Sequence, residues 1–133
     1  MKQAIHPDGR VIGKTATGLN HLNWGIKAGD PVCVAGMLPT GPQDGHIVSQ
    51  GDIEVQTKRI LDSIKVGLES AGTSMDDVVM NQIFLRDLDD YHAFNEIYAS
   101  YFLDLQPARF CVKLDLVHPE FLVEIATTAV FTS

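Results

Sequence analysis

The sequence predicts an α+β fold, a single β-sheet covered on one side by two helices. Three observations carry this expectation. Two segments place apolar residues at helical spacing, several short runs alternate apolar with polar residues, and the elements follow the order strands, helix, strand, helix, strands. With 133 residues, 45% apolar and 20% charged, the chain suits one globular domain over residues 1–133, large enough for a real core.

Taken in order, "LNWGIKAGDPVCVAG" at 22–36 reads as two strands around a turn at Gly29 and Asp30, the second an apolar run from Pro31 to Ala35. The Pro- and Gly-rich "MLPTGPQDGHIVSQGD" then leads as a loop into the clearest helix. In "DIEVQTKRILDSIKVGLESAG", Thr57, Ile60, Leu61, Ile64, Leu68 and Ala71 fall on one face. Asp52 suits the N-cap, Glu54 the first turn and Gly72 the C′ position. Gly67 inside this helix costs about 1 kcal/mol relative to alanine, which points to close packing at that turn.

"DVVMNQIFLRD" reads as the next strand, and "DDYHAFNEIYASYF" as a second amphipathic helix whose stripe is Tyr91, Phe94, Ile97, Tyr98, Tyr101 and Phe102. Asn95 lies one turn from Tyr91, within or beside that stripe. Two strands follow. "RFCVKLDL", read as a buried strand, alternates Phe110, Val112, Leu114 and Leu116 with Arg109, Cys111, Lys113 and Asp115. In "FLVEIATTAVF", Val123, Ile125, Thr127, Ala129 and Phe131 share one face, while Glu124 shares the other with Leu122, Ala126 and Thr128.

Composition narrows the function. A formal charge of -7, with ten scattered basic residues, argues against a nucleic-acid partner, because phosphate binding rests on clustered Lys and Arg. Five histidines and two cysteines show no metal-ligand spacing, and no nucleotide-binding glycine loop or serine-hydrolase elbow is present. The expectation is therefore no metal and no bound nucleotide. No stretch is apolar enough for a signal peptide or a membrane span, so the expected setting is cytoplasmic, without a membrane partner.

Arg109 and Glu124 remain, each near the start of a late strand. A guanidinium is a planar fork matched to a carboxylate, and a glutamate on an apolar strand is costly unless it is paired or carries a raised pKa. From pattern alone the two could pair with each other, reach solvent at an edge, or serve a ligand.

Several motifs bear on that choice: Gly-Asp-Ile-Glu-x-Gln-Thr opening the long helix, Ala-Gly-Thr-Ser-x-Asp-Asp-Val-Val, Phe-Asn-Glu-x-Tyr, Pro-Ala-Arg and Val-Glu-Ile. From about Ile26 to Val130 the chain resembles the RidA (YjgF/YER057c/UK114) family. The resemblance implies a chorismate-mutase-like fold and a homotrimer with ligand clefts between subunits. It also implies hydrolysis of reactive enamines or imines of small carboxylic acids, such as 2-aminoacrylate, to a 2-oxo acid and ammonia, with no metal or organic cofactor. By the same resemblance Arg109 binds the substrate carboxylate, Glu124 handles protons or water, Asn95 and Cys111 line the cleft, and Gly36 brings backbone to the ligand.

The chain departs from the family pattern at two places. "GLNHLNWGIK" stands where the family has Gly-Pro-Tyr-Ser, so His21, Asn23 or Trp24 is expected in the space of the cleft tyrosine. Ala35-Gly36-Met37 replaces Ser-Gly-Gln, which makes that wall less polar. A longer unsaturated substrate such as 2-aminomuconate then becomes an alternative to 2-aminoacrylate. Two other function classes stand beside deamination: a carboxylate-binding regulatory or interaction trimer without efficient turnover, and an endoribonuclease, which the acidic balance opposes.

Overall fold

In the computed structural model, which describes residues 1–7, 23–41, 46–48 and 50–131, the fold is a six-stranded mixed sheet with two helices on one face. The strands are β1 (Lys2–Ile5), β2 (Gly25–Ala28), β3 (Pro31–Met37), β4 (Val78–Leu85), β5 (Ala108–Lys113) and β6 (Val123–Val130). They lie in the order β1-β2-β3-β6-β4-β5. All neighbours are antiparallel except β4 and β5, which run parallel. That parallel pair requires a crossover, and the second helix supplies it.

The hairpin between β2 and β3 turns at Gly29, whose φ of +67° falls in the left-handed region that glycine tolerates. Strand β1, which pairs with β2 at one edge, was not foreseen; its run of four residues is too short to show a period. Helix α1 (Ile53–Ser70) begins as its sequence predicts, with the Asp52 carboxylate accepting from Val55 N–H at 3.1 Å. It ends in a turn closed by Gly72 at φ +83°. Helix α2 (Tyr91–Ala99) follows a short 3-10 turn.

Alternation fixes which side of the sheet each residue serves. Asn81, Ile83 and Leu85 of β4 align with Thr127, Ile125 and Val123 of β6, and all six are buried beneath the helices. Ile60, Leu61, Ile64 and Leu68 of α1, with Phe94 and Tyr98 of α2, close the core from above. Burying an aliphatic side chain of this size contributes about 1.5–3 kcal/mol, so these contacts dominate the stability of the fold.

Gly67 has the close neighbour its cost suggests: the Trp24 indole fills the space where a Cβ would stand, and its Nε1–H donates to the Ser63 carbonyl at 3.2 Å. Gln56, fully buried, holds the chain entering β6 by donating to the Glu120 carbonyl and accepting from Leu122 N–H.

Among the described residues the opposite face carries no helix. Phe84, Phe110, Val112 and Leu114 stand on it, the last three between 37% and 41% exposed. Strand β5 thus reverses the expectation of a buried run: its more apolar side faces outward, and Arg109 and Cys111 face the helices. Along α2 the predicted stripe holds for Phe94, Tyr98 and Phe102, but Tyr91, in its first turn, is 41% exposed.

Candidate active site

Two groups of polar residues emerge from this scaffold. The first lies at the β5 edge under the start of α2. Arg109 is the second residue of β5, and Asn95 and Tyr91 sit one helical turn apart above it. The guanidinium Nη2 donates to Asn95 Oδ1 at 2.8 Å and to Tyr91 Oη at 3.1 Å. Its carbon stands 4.8 Å from the Tyr98 ring centroid, with Tyr91 at 5.9 Å and Phe94 at 6.0 Å. Aromatic faces attract a cation, so the three rings hold the charge where it emerges from the core.

Behind them a buried relay fixes Tyr98. Asn81 donates to the Tyr98 hydroxyl at 2.9 Å and accepts from the Thr127 hydroxyl at 2.7 Å. Burial pushes the Tyr98 phenol up, against smaller opposing effects of Asn81 and Arg109, so the ring stays neutral. Cys111 lies on the same face of β5. Burial raises its thiol above the ordinary value despite Arg109 nearby, which disfavours the nucleophilic thiolate. Among the described residues no carboxylate lies within ion-pair distance of Arg109; the ion pairs found are Arg86–Asp115 and His92–Glu96.

The second group lies on the uncovered face. Glu124, second residue of β6, extends over Gly36, and a side chain at position 36 would collide with its carboxylate. Here the β3–β6 register shifts between Val34 and Met37, which lets the β3 backbone approach the acid closely. Burial raises the Glu124 carboxyl above the ordinary glutamate range. Beside it lies a depression of about 210 Å³ lined by Phe84, Leu114, Asp115, Leu116, Val117 and Glu124. Arg86 anchors that rim by donating to the carbonyls of Phe121, Leu116 and His118.

The residues singled out from sequence therefore divide. Arg109, Asn95 and Cys111 come together, and Gly36 meets Glu124. Within one chain the groups do not meet, because Arg109 and Glu124 leave the sheet on opposite faces. This removes the possibility that they form an internal ion pair. Trp24 corrects the expectation that it lines the cleft: at 3% exposure it is a core residue on the helix side, away from Glu124. Its burial is favoured because Gly67 leaves room for an indole whose N–H finds the Ser63 carbonyl. His21 lies outside the described residues. Two contributors had not been singled out, Tyr91 and Asn81. The one-turn spacing of Tyr91 and Asn95 was the available signal for the first.

Residues 14–131 match the endoribonuclease L-PSP family. The chain belongs to that family, the RidA/YjgF group. A curated member, 3-aminoacrylate deaminase RutC of Acinetobacter baylyi, is 47% identical over 103 residues, covering 77% of this chain and 81% of the relative. Among solved RidA/YjgF structures, Rid-family YyfA from Yersinia pestis superposes with a TM-score of 0.84 at 29% identity, covering 98% of this chain and all of that one. E. coli TdcF, solved with bound serine, gives 0.84 at 27% identity, covering 98% and 99%.

Proposed function

We propose that this RidA/YjgF protein hydrolyses enamines or imines of small carboxylic acids, releasing ammonia and the corresponding oxo acid. One observation carries the reading: Arg109 is held by neutral partners, with no carboxylate near it among the described residues, so its charge is available to an anionic ligand. The 47% identical relative named as a 3-aminoacrylate deaminase supports the reaction class.

The chemistry needs a held substrate, a proton and a water. Arg109 fixes the carboxylate through charge-assisted hydrogen bonds, which gives up translational freedom for a productive orientation. Protonating the enamine carbon gives an iminium; water adds to the carbon bearing nitrogen and passes a proton to that nitrogen. The C–N bond breaks as ammonia leaves, the remaining hydroxyl returning its proton to the carboxylate of the protonating acid as the C=O forms. Glu124, which keeps its proton to higher pH than an ordinary glutamate, is suited to supply and recover that proton.

Arg109 and Glu124 meet in this reading only across a subunit boundary, with Arg109 of one copy facing Glu124 and Gly36 of the next in a homotrimer. The uncovered apolar face of Phe110, Val112 and Leu114 supports such an assembly.

The test is ammonia release from freshly generated 2-aminoacrylate and 3-aminoacrylate. The wild type should exceed spontaneous hydrolysis on at least one, and Arg109→Ala should fall to background with its melting temperature nearly kept. Arg109→Lys should recover little, because an ammonium lacks the planar fork. Carboxylate binding without accelerated ammonia release would replace this reading with a binding module.

A further inference from the structure

We infer that Tyr91 is a second anion-binding group of this site, its phenolic O–H donating to the same substrate carboxylate that Arg109 holds. The inference deepens the function proposed above and rests on it.

The argument begins with the protons of the guanidinium. Arg109 Nη2 carries two, and both are engaged, by Asn95 Oδ1 at 2.8 Å and by Tyr91 Oη at 3.1 Å. A carboxylate can fork onto Nη1 and Nη2, or onto Nε and Nη2. Either geometry requires an Nη2 proton. A bidentate ligand must therefore displace one of the two acceptors.

The amide contact is the shorter and is partly buried, whereas the Tyr91 contact is longer and lies at the surface. The phenol is the partner that yields. Unlike an amide oxygen, a phenol carries its own proton, so at the moment of exchange it changes from acceptor to donor beside the incoming oxygen.

The second tyrosine against this guanidinium cannot do the same. Tyr98 is 2% exposed, and its oxygen already receives Asn81. Tyr91 is 41% exposed, at the first position of α2, and its hydroxyl accepts only from Arg109 among the described residues. Its ring lies across the guanidinium with 5.9 Å between ring centroid and Arg109 Cζ, so removing the oxygen alone leaves the aromatic wall standing.

The experiment is a double-mutant cycle on the intact protein, titrating pyruvate into wild type, Tyr91→Phe, Arg109→Lys and the double variant by calorimetry. Tyr91→Phe should weaken pyruvate binding about tenfold, the low end for a hydrogen bond to a charged group, with melting temperature and assembly unchanged. The same factor should persist in the Arg109→Lys background, since the phenol touches the carboxylate itself. Unchanged affinity in Tyr91→Phe, with Arg109 variants impaired, overturns the inference and leaves the proposed function standing. So does a loss that vanishes in the lysine background, which would make Tyr91 only a support for the guanidinium. A tenfold loss in a protein that releases no ammonia keeps the inference and overturns the activity. No pyruvate binding by the wild type overturns both.

Discussion

Glu124 shows how one residue's setting shapes its proton affinity. It stands on a strand whose next residues are Ile125 and Ala126, and its carboxyl lies over the backbone at Gly36. Burial favours the neutral acid, so the folded protein holds that proton more tightly than the unfolded chain does. The resulting stability is fully present below the ordinary value of 4.5 and is lost as pH rises through the raised folded value. Glu124→Gln removes this linkage. The variant should melt at the wild-type temperature near pH 4 and above it near pH 8, while turnover falls by roughly 10²-fold or more. Melting curves across pH check the first outcome and ammonia release the second. Glu124 was legible in the sequence as a charge on an apolar strand. That its partner is a glycine backbone was not, since register shifts leave no period to read.

Among the elements, α1 and its glycine give the sharpest case. Alanine at position 67 would favour the helix by about 1 kcal/mol. Against this, its methyl would enter the Trp24 indole, and overpacking a filled core costs about 1–3 kcal/mol. Displacing the ring also breaks the hydrogen bond to Ser63, about 1 kcal/mol more. Gly67→Ala should therefore destabilise the protein by about 1–3 kcal/mol, and chemical denaturation measures it. The boundaries of α1 could be read from Asp52 and Gly72 because caps act within a few residues. The identity of the neighbour at Gly67 could not, because Trp24 reaches it only through the hairpin. Strand β5 failed differently. One of its faces is apolar throughout (Ala108, Phe110, Val112) and the other sets Cys111 between Arg109 and Lys113, but alternation separates two sides without saying which one the helices cover.

For the whole molecule, the sheet with two helices followed from element order, whereas the assembly depends on what the bare side of the sheet meets. Phe110, Val112, Leu114 and Val117 stand exposed there, which favours the proposed trimer, and light scattering at micromolar concentration should return three times the chain mass. A monomer would leave Arg109 and Glu124 permanently apart. In the proposed trimer no single chain owns a cleft, and this has a genetic consequence. Copies lacking the arginine and copies lacking the glutamate are each inactive alone. Yet a closed ring of three that contains both kinds always has one junction where an intact arginine faces an intact glutamate. Two alleles that are null separately would complement each other in one cell.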